Sequence, residues 1–466
     1  AVGFNSLTAN TTGANNVAVG KDSLKTNTTA SGNTGVGESA LELTTTGCCN
    51  TAVGNGALQA NTTGDYNVSV GQGSLAFHTT GDNNTAIGGL AMFCNTTANN
   101  NTAVGFCALR GNTTGDNQVA IGRKAMAATT TGGNNTAVGL NALFSNTTGT
   151  LNVAVGTQTL ESNTTASCNT AVGYCSLINT TTGCRNTGLG ANSLQSNTTG
   201  DQNVAVGRAS LICNTTADGN TAIGFDSLQA NTTGAQNVAL GRNALFSNTT
   251  ASFNTSAGIN AMYLTTTGAS NTVIGRNAGY NITSGNQNTI MGEASACTLT
   301  TGCYNTYIGA ENAPSANTVL FEYVFGRGGT GKGSNTAFIA GANGAYNGNN
   351  SSSWATTSDR RIKKDIEDNN IGLEKINQIQ VRNFEYKTKD EITELPTHSA
   401  IDKQGTQVGV IAQEIEEILP DVVNIETTGV KSVNPDNITW YLVNAVKELS
   451  KQNEEMKLEI EELKKG

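Results

Sequence analysis

Of the 466 residues only 4 are proline, 2 are histidine (His78 and His398) and 13% are charged, and aromatic residues make up 5%. Scarce proline excludes a collagen-like chain and most proline-rich linkers. So few histidines leave no basis for a histidine-rich metal site, and no metal or other cofactor is expected. A net charge of -9 argues against a nucleic-acid partner. No apolar run is long enough to span a membrane as a helix. A conventional core for a chain of this length would also need far more aromatic bulk. The chain does hold 55 glycines among abundant asparagine and threonine, a composition that points to repetitive β structure.

The glycines keep time. Gly3, Gly20, Gly37, Gly54 and Gly71 open a series that reaches Gly309 at one constant step with no insertion. The unit reads N-T-A-V-G-x-x-A-L-x-x-N-T-T-G-x-x, as at Asn101-Thr-Ala-Val-Gly105, Ala108-Leu109 and Asn112-Thr-Thr-Gly115. A strict period means that each unit is one coil stacked on the last, burying a core that no single coil can bury alone. A unit of this length suits two short strands and two turns. Residues 2 and 4 of the unit, such as Val17 with Val19 and Val204 with Val206, share one strand face. We expect them to point inward together with the Leu row (Leu7, Leu24, Leu41, Leu58, with Met at 92, 126 and 262). Coils about 4.8 Å apart predict a rod of roughly 90 Å. The last glycine of the unit, as in Gly64 and Gly81, is expected to supply a positive φ.

The first position of the unit is Asn from Asn16 to Asn305, except at Gln118. Asn16, Asn33, Asn50, Asn203, Asn220, Asn237 and Asn305 are therefore expected to form a ladder of stacked amides along the rod. Asn-Thr-Thr recurs as a formal glycosylation sequon, yet Thr44, His78, Thr129, Thr180 and Thr265 replace the Asn while the Thr pair persists, which favours a turn. Ten cysteines show no paired C-x-x-C, so zinc is not expected and the thiols read as small loop residues. Cys168 and Cys184 are the two that could approach each other.

Gln118-Val119-Ala120-Ile121-Gly122 resembles the strand motif of the left-handed β-roll heads of trimeric autotransporter adhesins, a family that implies a parallel homotrimer. The fold expected is mainly β: a left-handed trimeric parallel β-roll of 17-residue coils over 1–309, then a neck over 310–357 ending in a short strand at 353–357.

Charge changes abruptly after that neck. Residues 1–309 hold 9 Lys+Arg and 11 Asp+Glu, while 358–466 hold 15 and 22. The second segment opens Ser358-Asp-Arg-Arg-Ile-Lys-Lys-Asp-Ile366 and continues with Val381-Arg-Asn-Phe-Glu-Tyr386, Gly409-Val-Ile-Ala-Gln-Glu-Ile-Glu416 and Leu419-Pro420. These motifs resemble the intramolecular chaperone domain of endosialidase tail spikes. The resemblance implies a small α+β domain that assembles trimers and releases itself by cutting Thr357–Ser358, with Ser358 as nucleophile and Lys363 as general base. Heptads at about 438–465 place Val446, Asn453 and Ile460 at a positions and Leu442, Leu449, Met456 and Leu463 at d, which predicts a coiled coil.

The whole reads as a segment of a virion tail fibre or spike that meets a host receptor or glycan. The alternative is a bacterial cell-surface trimeric adhesin, which would end in a membrane barrel anchor that no segment after Leu463 supplies. Any N-terminal attachment region is expected to precede Ala1. No activity on an external substrate is expected, because the repeats carry no paired carboxylates at a fixed phase.

Overall fold

The computed structural model describes residues 1–340, 345–348, 360–392, 394, 404–425 and 430–465. The chain divides into two compact units, Ala1–Thr356 and Thr357–Gly466.

The first unit is a parallel β-solenoid whose coils keep the period of the glycines. Each coil holds one strand of three residues, from Val17–Val19 to Thr306–Ile308. Each strand pairs in parallel with its equivalent in the next coil, as Val17 with Thr34 and Val19 with Val36. The ladder does not stop at 309. Thr306–Ile308 pairs with Tyr323–Phe325, which pairs with Thr336–Ile339, and Ala345–Gly348 then adds antiparallel. Residues 310–340, expected as an irregular neck, therefore extend the stack, whereas the strand expected at 353–357 lies outside the described residues.

A coil has one strand where two were expected because its other side turns too sharply. The Leu of the unit sits in the left-handed region, as at Leu24 (φ 49°) and Leu58 (φ 50°). This row admits Leu and Met, with Gly279, Ala296 and Ala313 at its end, but never Val or Ile. A branched Cβ at positive φ meets its own backbone. The Leu side chains are fully buried, as expected.

The strand face runs opposite to the expectation. The middle residue points inward: Ala18, Ala52, Ala120 and Ala205 are fully buried, while Val17 and Val19 are 49% and 39% exposed. Ala18, Leu24, Ala40 and Leu41 belong to one continuous core cluster. With a Leu row filling one side of so thin a coil, only a residue of about the size of Ala fits opposite it.

Glycine at the strand end is required twice over. Gly156 has φ +135°, and a Cβ there would lie 2.5 Å from the Gly173 oxygen of the next coil. Gly64 and Gly81 do not have the positive φ expected of them. A Cβ on Gly64 would lie 2.4 Å from the Gly81 oxygen. The same position nevertheless holds buried Ala30, Ala98, Ala166, Ala217 and Ala251, so close stacking keeps the row small and admits alanine where the backbone shifts slightly.

Two amide ladders run through the interior. In the first, Asn33 donates its backbone N–H to Asn16 Oδ1 at 2.9 Å and its Nδ2–H to Gly47 O at 2.8 Å. Asn50 continues it through Asn33 Oδ1, and the row ends when Asn305 Oδ1 accepts from the N–H of Glu322 at 2.8 Å. Glu322 is fully buried, and its carboxylate accepts from Tyr307 Oη (2.7 Å), Ser315 N (3.1 Å) and Gly333 N (2.8 Å). The second ladder is the Asn of Asn-Thr-Thr. Asn231 is fully buried and its Nδ2 donates to Asn214 Oδ1 and Gly234 O, both at 2.9 Å. That nitrogen is the atom a glycan would need, so the folded coil has no room for one. At the interruptions Thr44, Thr180 and Thr265, the preceding Asn27, Asn163 and Asn248 Oδ1 atoms lack a donor.

His78 replaces an asparagine of this second ladder. Its Nε2–H donates to Gly81 O at 2.7 Å and its Nδ1 accepts from Asn95 Nδ2 at 3.2 Å, which requires the neutral ring. Burial holds the imidazole below its ordinary value. The unfolded chain therefore binds the proton more readily, and the stabilisation present above about pH 6.5 is lost as pH falls through and below it. Thermal melts of wild type should weaken between pH 7 and 5 more than those of His78→Asn, which restores the amide; parallel profiles would remove the role of His78.

All ten cysteines are free thiols, Cys168 and Cys184 among them. Burial comes first among the effects that push the Cys48 thiol up to about 11.

The second unit is a small α+β domain. It has short helices at Leu373–Ile376 and Ala412–Ile418, a long helix at Pro435–Leu463 and two antiparallel strand pairs.

Candidate functional site

The motifs quoted from the second unit come together around its core. Arg382–Phe384 pairs antiparallel with Gln407–Gly409, which joins the 381–386 motif to the start of the 409–416 motif. Arg382 then forks onto Glu414, both bonds 3.1 Å. The pair is half exposed, so solvent screens it and it acts mainly to set register. Within the helix Ala412–Ile418, Ile415 faces inward and meets Leu419, Val422 and Tyr441 to form the core. Pro420 opens the single turn Pro420–Val422, where its fixed φ suits a helix start.

The long helix Pro435–Leu463 is capped by Asn434, whose Oδ1 accepts from Asp436 N at 3.0 Å. Its first half is tied to chain far away in sequence. Glu448 accepts from Leu373 N at 2.9 Å, and Asn444 Nδ2 donates to Asn369 O (2.8 Å) and Ile371 O (3.2 Å). Tyr441 donates to the Asp421 carboxylate, and that bond followed by burial pushes its phenol up. Sequence reading missed these clasps, because polar residues on a charged helix carry no mark of distant partners.

The two sides of this helix differ. Ile438, Tyr441 and Ala445 pack onto the domain's own core or are buried, with Glu448 on the same side. The heptad positions are open: Leu442 is exposed, as are Val446, Leu449, Met456, Ile460 and Leu463. Asn453 is exposed among them.

Of the residues assigned to cleavage, Thr357 and Ser358 lie outside the described residues. Lys363 follows the single turn Arg360–Ile362, with its backbone N–H donating to Arg360 O at 3.2 Å and its side chain exposed. Among the described residues no cluster of His, Cys, Asp or Glu could hold a metal ion, and no helix is long and apolar enough to cross a membrane.

Residues 358–424 match the family model described as chaperone of endosialidase. The second unit thus carries a chaperone-of-endosialidase domain, and the match begins at Ser358 and includes Lys363, Arg382, Glu414 and the Leu419-Pro420 step. The helix Pro435–Leu463 lies beyond it. No solved structure matches the chain.

Proposed function

We propose that this chain is a segment of a trimeric fibre or spike carried on a virion. Its solenoid serves as shaft or as the surface that meets a host receptor or glycan, and its C-terminal chaperone directs assembly and then leaves by cleavage at Thr357–Ser358. The observation that carries this reading is the chaperone match, which starts at Ser358 beside the end of the solenoid unit.

The helix supports it. One side is committed to its own domain, and the a and d positions offer an unpartnered apolar seam of about three heptads. A polar Asn453 at an a position is a device that selects register and chain number at some cost in stability.

A chaperone also answers a physical need of the solenoid. Chains whose strand ladder repeats in identical steps can associate in many wrong phases, since each slip by one coil re-forms similar contacts. Holding three C-termini together raises their effective concentration and gives one starting phase. Once the copies have associated, the clamp can be cut away, leaving an assembly that persists because unfolding is slow.

Light scattering on the uncleaved Ser358→Ala chain tests the trimer. The mass should be that of three 47.9 kDa chains, and a single-chain mass at micromolar concentration overturns it.

A further inference from the structure

We propose that the outward side of the strand ladder is the seam along which copies of this chain pack against one another. The proposal rests on the trimer reading and says which surface makes it.

The rows concerned are residues 2 and 4 of the unit. Because the middle Ala of each strand points into the core, both neighbours point out. Row 4 runs from Val2 through Val53, Ile87, Ile121, Val172, Ile223 and Ile274 to Phe325, and it holds only apolar residues. Ile87, Ile121, Ile223 and Ile274 are each about two-fifths exposed. From Val17 to Thr306, row 2 holds only Val or Thr, and it ends at Tyr323.

The charges of the repeat region avoid both rows. They stand in other phases, as at Lys21, Glu42, Asp65, Arg123, Arg185 and Arg242. A neutral strip that merely faced water would be expected to carry some of them, and monomers rarely expose apolar patches beyond a few hundred Å².

Dimensions fit this use. A three-residue strand is about 10 Å wide and coils are about 4.8 Å apart, so nineteen coils present roughly 900 Å². A stable interface buries about 800 Å² per partner. The occupant must also match a repeat of about 4.8 Å over roughly 90 Å with no charge or pocket to fix its position. A second copy of this chain has that period by construction, and a shared C-terminal clamp would give it the same phase. Three such narrow strips can face one three-fold axis.

Photocross-linking of the full-length chain tests the seam. Benzoylphenylalanine replaces Val155 in row 4 or, as comparison, Thr165, which is exposed on another side of the solenoid. Both sites are at the surface of a single coil, so neither change disturbs the core. Illumination should join chains to one another at least tenfold more at Val155 than at Thr165, with dimers and trimers of the chain on a denaturing gel. Equal yields at the two sites, cross-links at Thr165 alone, cross-links only to foreign protein, or none at Val155 in a sample of trimeric mass overturn the seam and leave the trimer standing. A single-chain mass in the same sample fails the trimer reading itself.

Discussion

Expressed at full length and allowed to assemble, the chain should release a fragment spanning 358–466, visible on a denaturing gel. In the proposed reaction the Ser358 hydroxyl attacks the Thr357 carbonyl carbon while Lys363 takes the hydroxyl proton. The C–N bond breaks as the C–O bond forms, and the proton passes to the departing Ser358 nitrogen. Water then hydrolyses the ester, leaving a carboxylate on Thr357 and regenerating the hydroxyl of Ser358. Ser358→Ala removes the attacking atom and should abolish the fragment. Lys363→Ala removes the base and should slow its appearance by about 10²–10⁴-fold, the usual contribution of a positioned general base. An intact wild-type chain after complete assembly sinks the reaction, and equal cleavage by Lys363→Ala removes that residue from it.

Replacing Asn203, Asn220 and Asn237 by Ala should be the most damaging change to the solenoid that leaves every apolar contact in place. Asn203 Nδ2 donates to Ala217 O at 2.8 Å, Asn220 Nδ2 to Gly234 O at 2.9 Å and Asn237 Nδ2 to Ala251 O at 2.9 Å. Their Oδ1 atoms accept the backbone N–H groups of residues 220, 237 and 254 at 2.9–3.0 Å. The substitutions strand three N–H groups at buried positions, while Ala217 O, Gly234 O and Ala251 O each keep one bond, from Asn214, Asn231 and Asn248 Nδ2. Each stranded group costs about 1–3 kcal/mol, so the sum, roughly 3–9 kcal/mol, is a large part of the whole stability of an ordinary domain, about 5–15 kcal/mol. Soluble assembly should fail or melt far below wild type, whereas Thr148→Ala with Thr165→Ala, both exposed, should change little. A triple variant that assembles and melts like wild type would show that the ladder does not hold the coils.

Much of this was legible because the repeat is strict. Nineteen glycines in one phase allow only stacked coils of equal length. A row that admits Leu and Met and never Val or Ile marks a buried position without a branch at Cβ, and a row of Asn broken once by Gln118 marks an amide ladder. The boundary at 358 showed itself as a jump in charge, since a thin coil of Ala, Leu and Asn has few places for charged side chains whereas a small domain with a long exposed helix has many.

What period and composition could not decide was direction. Alternation separates Val17 and Val19 from Ala18 but does not say which set faces in, because a strand of three residues satisfies the pattern either way. Hydrophobicity chose the valines, and volume chose the alanine. Leu24 and its row turn inward at positive φ and fill the coil, so the opposite wall must be small and the branched residues are left outside. The role of the second glycine went the same way: its φ is ordinary, and proximity to the next coil's carbonyl keeps the row to glycine or alanine from Gly13 to Gly302. The clasps of Glu448 on Leu373 and Tyr441 on Asp421 likewise join residues that nothing local relates. The period, the buried rows of Leu and Asn, and the place where the chaperone begins all follow from the pattern of residues. Which side of each strand is core follows from the folded coil instead, because it depends on the space left between two walls of one coil, a quantity that no single row of residues contains.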